Sequence, residues 1–577
     1  MDACPGIRRT WRSGPRRRRG CRPEALALAC GGRLGYLAGL NTLQDMPMTT
    51  AADGAQWARR RTYAIISHPD AGKTTLTETL LLEAGAIRLA GQVRARGENR
   101  RTQSDWMKIE RERGISVSAS VMTYEYRDLI FNLLDTPGHE DFSEDTYRTL
   151  TAADCAIMVL DAAKGVEPRT LKLVEVCRLR DIPIITFINK FDREAMEPSE
   201  LLDDIQDKLA LDVTPMQWPC GSGNRFKGVA DLTTNEFVLY KRPDDSEVSR
   251  SERVPLDGDK IASVLSADEL AEVTEGAEMA RELLPEFDQA SFEEGHLSPV
   301  YFGSALRRFG VHELLDALAE HAPGPQPQAA AKGPRETLEP GDKEVAGFVF
   351  KVQANMDPNH RDRVAFVRLS SGQFKRGMKL KTEAGKTLSV HNPILFFASD
   401  REIADEAFAG DVMGVPNHGV LRVGDTLSES GKWRVAGIPN FAPEMLRRAR
   451  LKDPLKAKHL KKALESLAEE GVTQLFRLQL GGEFIIGAVG ALQIDVMAQR
   501  VADEYGIEVV FEASPYDTAR WITGSDADIA AFIDRHKSAI AEDIDGDPVF
   551  MAKSAWEVNY SQEKFPNITF HATKERS

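Results

Sequence analysis

The 577-residue sequence lacks the marks of several common protein classes. It contains no run of 18 or more apolar residues, so we expect no membrane-spanning helix. Positive charge is not in excess, and the net charge of −14 argues against a nucleic-acid-binding protein that acts through bulk basicity. Its six cysteines form neither a Cys-x-x-Cys pair nor a Cys/His cluster with zinc spacing. We therefore expect reduced thiols and a cytoplasmic location.

The first 47 residues differ from the rest because they contain nine arginines and no lysine. The basic run 16–19 precedes the apolar run 25–29, which is the order seen in a secretory signal, but two glycines and an arginine then interrupt the apolar part. The sequence leaves three alternatives open, namely a mitochondrial transit peptide, a disordered tail and a true start at Met46 or Met48. We treat residues 1–57 as an extension outside the folded domains.

Residues 58–322 alternate short apolar segments with amphipathic ones, which predicts an α/β domain, a mostly parallel sheet with helices on both faces. An open sheet of this kind binds ligands at the carboxyl ends of its strands. The first, second and fourth predicted strands each run into a loop of polar and turn-forming residues, and these loops are the candidates for a functional site. The predicted strands are residues 63–66, 129–134, 155–160 and 184–188.

The loop after the first strand has the composition of a phosphate-binding loop. A strand, a glycine turn and a helix start place several backbone N–H groups and the positive end of a helix dipole around one anion. Lys73 would neutralise phosphate charge, and the Thr74 hydroxyl would bind Mg²⁺. The usual motif is incomplete, because Ser67 stands where its first glycine is expected. The predicted phosphate-binding residues of this loop are Ser67, His68, Pro69, Asp70, Ala71, Gly72, Lys73, Thr74 and Thr75.

The loop after the second strand consists of Asp135, Thr136, Pro137, Gly138 and His139. The Asp135 carboxylate would hold the Mg²⁺ shell, and the Gly138 N–H would reach a terminal phosphate while the loop stays free to move when that phosphate leaves. His139 would position the attacking water and stabilise charge in the transition state. The alternative is a plain turn with an idle surface histidine, since these residues favour turns.

The loop after the fourth strand consists of Asn189, Lys190, Phe191 and Asp192. The Asp192 carboxylate can accept both the ring N–H and the exocyclic amine of guanine, a donor pair that adenine lacks. Lys190 would lay its aliphatic stem over the base. A tetrapeptide of this kind could also be a helix cap, but two other loops at the ends of neighbouring strands favour a guanine-nucleotide site.

These three loops resemble those of the translational GTPases, a family that includes elongation factors Tu and G. The resemblance implies binding of GTP and GDP with Mg²⁺, with Asp70 helping to hold a monovalent cation near the phosphates. It also implies that Ser116 ligates Mg²⁺ at a position where the family has threonine. The residues that would carry catalysis are Lys73, Gly138 and His139.

The family also has a Ser-Ala loop whose backbone N–H contacts the guanine carbonyl. Ser304, Ala305 and Leu306 match it here, more than 100 residues after Asn189. That separation is larger than one strand and one helix need, so we predict an inserted subdomain over about 212–294. Elongation factor G carries an insert at this place and elongation factor Tu does not.

Three further regions follow the GTPase domain. Residues 323–343 contain five prolines and an alanine run without periodicity, which predicts a linker. Short strands with glycine turns over 344–439 predict a small β-barrel, which resembles the second domain of translation factors. Alternating helix-like and strand-like segments over 440–577 predict an α+β sandwich.

A basic segment opens the last region. Between residues 447 and 462 there are eight basic residues and one acid, which suits either contact with RNA phosphates or a solvated basic helix. The residues of the possible RNA contact are Arg447, Arg448, Arg450, Lys452 and Lys456.

Domain order and further segments narrow the choice within the family. The chain is too short for the two additional domains of elongation factor G, and residues 141–151, 353–358 and 360–366 resemble the bacterial class II release factors. That resemblance implies a monomer that binds the ribosome and uses GTP to drive off class I release factors. The alternatives are another ribosomal GTPase of the elongation factor G type and a metabolic P-loop ATPase or kinase.

Overall fold

The computed structural model describes most of the chain beyond residue 55. Within this part, no helix has both the length and the apolar character needed to cross a bilayer. Ser116, predicted to bind Mg²⁺, lies outside the described residues, as does nearly all of the extension 1–57. The described ranges are 56–87, 117–240, 251–354, 363–397, 401–437 and 439–575.

The strands of the first domain are β1 (Arg60–Ser67), β2 (Ser120–Tyr126), β3 (Leu129–Asp135), β4 (Cys155–Asp161), β5 (Ile184–Asn189), β6 (Asp212–Pro215), β7 (Gln217–Cys220), β8 (Gly228–Asp231), β9 (Glu236–Tyr240), β10 (Ser251–Pro255) and β11 (Leu297–Phe302). Seven of them form one sheet in the order β2-β3-β1-β4-β5-β11-β6. Only β2 runs antiparallel to its neighbour. The four predicted strands are confirmed as β1, β3, β4 and β5. β4 and β5 are buried along their whole length, as continuous apolar strands between two helical layers must be.

Helices of this domain begin where the sequence carries helix-start signals. Pro168 and Pro198 open their helices at a position whose N–H has no intrahelical partner. Ser266 and Glu269 form a capping box at the start of a 17-residue helix. The helices are α1 (Lys73–Glu83), α2 (Ser143–Leu150), α3 (Pro168–Arg178), α4 (Pro198–Leu209), α5 (Ala267–Leu283), α6 (Gln289–Glu293) and α7 (Val311–His321).

The inserted subdomain is smaller than the predicted range 212–294. Strands β7 to β10 form a separate antiparallel sheet in the order β10-β9-β8-β7. In contrast, β6 pairs in parallel with β11 and so belongs to the edge of the main sheet. The predicted boundary was wrong because β6 has only four residues and ends in Pro215, so its sequence does not resemble a strand. A sheet tolerates proline at an edge strand, which is the position of β6.

The strands of the next region are β12 (Gln328–Lys332), β13 (Thr337–Leu338), β14 (Ala346–Ala354), β15 (Arg363–Ser371), β16 (Gln373–Lys375), β17 (Lys379–Thr382), β18 (Thr387–Ser389), β19 (Ile394–Phe396), β20 (Arg401–Ile403), β21 (Glu406–Phe408), β22 (Val412–Pro416), β23 (Thr426–Ser428) and β24 (Arg434–Val435). Eight of them form an antiparallel, barrel-like sheet in the order β18-β17-β23-β14-β15-β22-β19-β20. β16 pairs separately with β21. Short strands with glycine turns therefore predicted the right architecture for the second domain.

The segment 323–343, predicted to be an irregular linker, contains two of these strands. β12 pairs with β13 and also with β24, so the segment is tied to the end of the second domain. The prolines lie outside the paired residues, and the alanine run between them keeps its N–H groups for pairing. Gly333 lies against the indole of Trp433, where a Cβ atom would be 2.3 Å from the ring. Composition alone mispredicted this segment because its strands are held by backbone hydrogen bonds to each other and to β24.

Buried ion pairs join the second domain to the first. The Arg368 guanidinium donates to the Gly410 carbonyl and to the Asp154 carboxylate. Burial raises the pKa of the Asp154 carboxyl, and the charge of Arg368 opposes that shift. Arg60 forms a second pair with Asp411 at 3.2 Å. Loss of any one partner would leave an uncompensated buried charge, so these pairs hold the two domains together.

The last domain is built on one antiparallel sheet with helices packed against it, in agreement with the predicted α+β class. Its strands are β25 (Pro439–Phe441), β26 (Met445–Leu451), β27 (Gln474–Leu478), β28 (Phe484–Ala488), β29 (Val509–Ala513), β30 (Thr518–Thr523), β31 (Ile540–Glu542), β32 (Pro548–Ala552), β33 (Thr569–His571) and β34 (Thr573–Glu575). Its helices are α8 (Ala457–Glu469), α9 (Ala491–Tyr505), α10 (Asp526–Arg535) and α11 (Ala555–Lys564). The sheet order is β29-β26-β28-β27-β31-β32-β30-β33.

The basic segment is divided between a strand and a helix. Arg447, Arg448 and Arg450 lie on β26, so a single basic helix is the wrong description of this part of the segment. Acids of neighbouring strands and loops neutralise several of the cations. The ion pairs are Arg448–Glu483 at 3.3 Å, Arg450–Glu512 at 3.1 Å and Lys452–Glu508 at 2.9 Å. Lys456 donates to the Gly506 carbonyl at 2.9 Å. The RNA contact stays a prediction.

Candidate functional site

The phosphate loop connects β1 to α1 at the carboxyl edge of the main sheet. Gly72 precedes the first residue of α1 with φ of 101°, a conformation that glycine adopts without steric penalty. A Cβ atom there would also lie 2.3 Å from the Asn189 amide nitrogen. The glycine is therefore required twice, once by its backbone angle and once by the close approach of the loop after β5.

Asn189 joins three of the predicted loops through its side chain, which is 2% exposed. Its amide nitrogen donates to the Ala71 carbonyl of the phosphate loop at 2.8 Å. Its amide oxygen accepts from the Ala305 N–H at 2.8 Å and from the Lys190 N–H at 2.9 Å. The structure thus brings the phosphate loop into contact with both predicted guanine loops. From the sequence alone this contact could only be assumed.

The two guanine loops also share a contact between their acidic and hydroxyl side chains. The Ser304 hydroxyl donates to one oxygen of the Asp192 carboxylate at 2.6 Å, which fixes the orientation of that carboxylate. Phe191 is buried, with its ring edge-to-face against Phe302. Leu306 is 48% exposed. Of these residues, Asp192 and Ser304 connect the two loops directly, whereas Phe191 packs in the core beneath them.

Sequence reasoning missed Asp161, the last residue of β4. Its carboxylate accepts a 2.7 Å hydrogen bond from the Lys190 ammonium group, which also donates to the Asp70 carbonyl at 2.5 Å. Lys190 therefore ties the phosphate loop to the end of the third predicted strand. The signal available in the sequence was an acid directly after the third predicted strand, whose neighbours both end in polar loops.

The side chains predicted to bind phosphate and Mg²⁺ lie together at the start of α1. The Lys73 ammonium group contacts the Asp135 carboxylate at 2.5 Å, and the Thr77 hydroxyl donates to the same oxygen at 3.3 Å. Thr77 was not predicted, although it lies one turn after Lys73. The Thr136 hydroxyl donates to the Ile65 carbonyl at 2.6 Å and so fixes the loop after β3 to β1.

This donor set fits a magnesium ion. Asp135 and Thr74 offer a carboxylate and a hydroxyl, the hard oxygen ligands that Mg²⁺ prefers. Among the described residues, no group of three His, Cys, Asp or Glu side chains could hold a metal by itself. An ion bound by one carboxylate, one hydroxyl and substrate phosphates needs no such cluster.

The loop after β3 passes directly over the phosphate loop. A Cβ atom on Gly138 would lie 3.7 Å from the Cα atom of Pro69, so the two loops are in van der Waals range. The His139 ring nitrogen Nδ1 accepts from the Asp141 N–H at 3.2 Å. In this arrangement the neutral ring carries its proton on Nε2. His68, on the facing loop, lies 3.5 Å from the Glu167 carboxylate.

A short 3₁₀ turn, Glu140–Phe142, follows His139 and contacts the last domain. The Asp141 carboxylate accepts a 2.7 Å hydrogen bond from the Leu492 N–H, in the first turn of α9. Gly490, just before α9, leaves room for this contact, because a Cβ atom there would overlap the Asp141 carboxylate. Phe142 packs against Val496 of the same helix. The loop beside the phosphate site is therefore anchored to α9.

Helix α2 extends this interface to the loop after α8. Arg148 donates to the Gly471 carbonyl at 2.6 Å and pairs with Glu144 at 3.1 Å. Gln474 of β27 donates to the other oxygen of Glu144 at 2.8 Å. Burial raises the pKa of the Glu144 carboxyl, while Arg148 and Gln474 oppose that shift. The contact between α2 and the last domain is thus buried and polar, and it depends on the pairing of Glu144 with Arg148 and Gln474.

The second domain contacts the segment that follows residue 116. Lys351 of β14 extends its ammonium group to the Ser118 hydroxyl at 2.5 Å and to the Ala119 carbonyl. It also lies 3.4 Å from the Asp145 carboxylate of α2. The segment 117–119 therefore contacts the second domain, and the segment 140–142 contacts the last domain. No motif within a single loop could predict these contacts.

Three protein-family models match the chain in the order of its domains. They are the Elongation factor Tu GTP binding domain over residues 58–324, Elongation factor G domain 2 over residues 344–430 and the Class II release factor RF3, C-terminal domain over residues 435–562. A crystal structure of a protein from Thermus thermophilus superposes with a TM-score of 0.63 at 27% identity, covering 81% of this chain and 71% of that one.

Two curated relatives come from Bordetella pertussis and Bordetella bronchiseptica, and both are named Peptide chain release factor 3. Each is 50% identical to this chain over 526 residues, which is 90% of this chain and 97% of the relative. Identity at this level over all three domains means that the chain belongs to the peptide chain release factor 3 family, GTP-binding proteins of translation termination.

Proposed function

We propose that the protein hydrolyses GTP on the ribosome after peptide release and uses this step to dissociate class I release factors. The observation that carries the proposal is the hydrogen bond between Asp141 and the Leu492 N–H. Asp141 lies three residues beyond Gly138, the residue predicted to sense the terminal phosphate. A change in nucleotide state at Gly138 therefore has a direct path to α9 and the last domain.

The nucleotide itself would be bound by groups of the loops described above. Backbone N–H groups of the phosphate loop and the Lys73 ammonium group would neutralise phosphate charge. Thr74 and Asp135 would hold Mg²⁺, which when bound compensates charge on the terminal phosphates. Asp192, oriented by Ser304, would accept the two N–H donors of guanine. A monovalent cation beside Asp70 belongs to the same proposal.

Hydrolysis would depend on His139 and Gly138 reaching a terminal phosphate. Because His139 Nδ1 accepts from the Asp141 N–H, its Nε2–H is the group left to donate toward a water or a phosphoryl oxygen. The ring would thus position and stabilise rather than remove a proton. The sequence offers no evident arginine for the transition state, so we expect slow hydrolysis by the protein alone and strong stimulation by ribosomes.

Hydrolysis would then release the constraint on the loop that contacts α9. Movement of Asp141 would break the bond to the Leu492 N–H and disturb the adjoining pair of Glu144 with Gln474. The last domain could then rotate relative to the first two, which the buried pairs at Arg368 keep together. The basic residues around Arg447 are proposed to contact RNA on the ribosome, and the protein to act in the cytoplasm as a monomer when off the ribosome.

A ribosome-dependent assay tests this function. Terminated ribosomes carrying a fluorescent class I release factor are mixed with the protein and GTP, and both phosphate production and loss of fluorescence from the ribosome are followed. We expect ribosomes to raise the rate of GTP hydrolysis by about 10³-fold or more, as activators of related GTPases do. Full-rate hydrolysis without ribosomes would refute the activation mechanism. Hydrolysis without factor release would favour the alternative of an elongation factor G-like GTPase.

The variant Gly490→Ala tests the path from Gly138 to the last domain. Its methyl group would displace the Asp141 carboxylate from the start of α9 without removing any charge. We expect near-normal stimulation of GTP hydrolysis by ribosomes but slower release of the class I factor. Asp503→Ala, an exposed change on the same helix, is the matched control. Equal release rates for Gly490→Ala and the unmodified protein would exclude this path.

A further inference from the structure

A cavity of about 660 Å³ lies between the inserted subdomain and the edge of the main sheet. Residues of β6, β8, β11, α5 and α7 line it, and none of them belongs to the nucleotide loops. Its volume is within the range of small-molecule sites in proteins, roughly 300–1,000 Å³. The cavity is thus large enough for a ligand and separate from the GTP site.

Glu313 is the unusual side chain in the wall of this cavity. It lies in the first turn of α7 and is 6% exposed. Neither oxygen of its carboxylate has a hydrogen-bond partner of ordinary geometry among the described residues, although its own backbone N–H and the Tyr240 hydroxyl lie near it. The Gln217 side-chain oxygen, in the same wall, is likewise without a hydrogen-bond partner in this part of the chain. Buried acceptors of this kind are rare because burial without a donor is unfavourable.

The groups around Glu313 compensate its burial only in part. Burial raises the pKa of the Glu313 carboxyl, and its own backbone N–H, the charges of His312 and Arg253 and the nearby Tyr240 hydroxyl oppose that shift without cancelling it. A cation brought to this carboxylate from outside would favour its charged form.

The two arginines in the wall are engaged with other groups. Arg253 donates to Asp231 at 2.9 Å and to Glu236 at 3.4 Å. Arg281 donates to the Leu232 carbonyl at 3.1 Å. The wall therefore presents acceptors that its own cations do not satisfy.

The character of the wall indicates which donor would fit. A metal ion is disfavoured, because no cluster of three metal-ligating side chains occurs among the described residues. Met216, Leu284 and Ala317 supply apolar surface beside the acceptors. We propose that this cavity binds a small organic amine, with its ammonium group on Glu313 and Gln217 and its aliphatic stem against the apolar wall. The site is additional to the GTPase function and independent of it.

Calorimetric titration of the full-length protein with 1,4-diaminobutane and with 1-butylamine, at constant ionic strength, tests the proposal. We expect saturable binding of at least one amine and no binding of 1-butanol, which has the same stem without the charge. Glu313→Gln should weaken binding by about tenfold or more, since an ion pair and its hydrogen bonds are lost. Glu320→Gln is the matched control, because Glu320 lines the same cavity but is paired with Arg127.

A second variant covers the case in which Glu313→Gln does not fold. Leu284→Trp would fill the cavity from a half-buried position and should abolish amine binding while GDP binding is kept. Three outcomes would overturn the proposal. They are an absence of saturable amine binding to the unmodified protein, equal binding of 1-butanol, and equal weakening by Glu320→Gln, which would indicate general charge attraction only.

Discussion

Replacement of Asn189 by alanine is the sharpest test of how the nucleotide site is assembled. The side chain connects the phosphate loop, through the Ala71 carbonyl, to the loop of Ala305. Ala71 and Ala305 are each 1% exposed, so water cannot easily take the place of the lost amide. Asn189→Ala would leave the buried Ala71 carbonyl and the buried Ala305 N–H without these partners, and would also remove the acceptor of the part-buried Lys190 N–H.

The magnitude follows from those two groups. A buried donor or acceptor left unsatisfied costs about 1–3 kcal/mol, so the pair gives about 2–6 kcal/mol. If the loops relax when the protein is empty, the same free energy is needed to order them when nucleotide binds. At the lower limit of about 2 kcal/mol, the dissociation constant for GDP should rise roughly 30-fold. If they do not relax, the loss should appear in the free energy of unfolding.

Two measurements separate these possibilities. Fluorescent GDP titration reports the dissociation constant, and urea denaturation of the nucleotide-free protein reports the free energy of unfolding. Asn224→Ala, an exposed substitution of the same kind in the same domain, is the control for the loss of an amide. If both quantities for Asn189→Ala match those of this control, then Asn189 does not hold the loops together and the proposed assembly of the site is wrong.

Three further substitutions probe other parts of the molecule. Asp192→Asn should shift base preference from guanine toward xanthine in competition binding, and unchanged selectivity would remove Asp192 from the base site. Gly72→Ala introduces backbone strain of about 1–2 kcal/mol at φ of 101° and, in addition, a clash with the Asn189 amide, so GDP affinity should fall roughly tenfold or more by titration, whereas unchanged affinity would argue against a rigid loop. Lys351→Met leaves the Ala119 carbonyl without its donor and should lower the free energy of unfolding in urea by about 1–3 kcal/mol; an unchanged transition midpoint would contradict that role.

The nucleotide loops were predictable because parallel strands end at one edge of a sheet. In the observed register Ile65 lies beside Asp135, and Asp161 lies beside Asn189. Strand ends that are far apart in sequence are thus neighbours in space, and polar residues placed there must meet. The apolar runs alone were enough to locate these ends, since each strand is buried on both faces.

Contacts between domains were not predictable in this way. Asp141 and Leu492 are separated by 351 positions. Asp141 opens the segment 141–151, whose resemblance to a family says nothing about which distant residue it contacts, and Leu492 belongs to no recognisable motif. The short strands β6 and β12 were missed for a related reason. They pair by backbone hydrogen bonds with strands far along the chain, so their composition carries little of the information that orders them. The last residue of β4, Asp161, could have been found, because its place at a strand end was known.

Ser67 stands where the usual phosphate-loop motif has its first glycine, and the structure explains why a glycine is not needed there. Ser67 is the last residue of β1 and pairs with Val159, so its backbone is extended and any residue can adopt its conformation. The positive φ angles of the loop fall instead on Asp70, at 64°, and on Gly72, at 101°. Aspartate tolerates the left-handed region better than most residues, whereas the close approach of Asn189 leaves no room for a side chain at Gly72. The loop therefore needs one glycine rather than two, and serine at the first position is compatible with the phosphate-binding geometry.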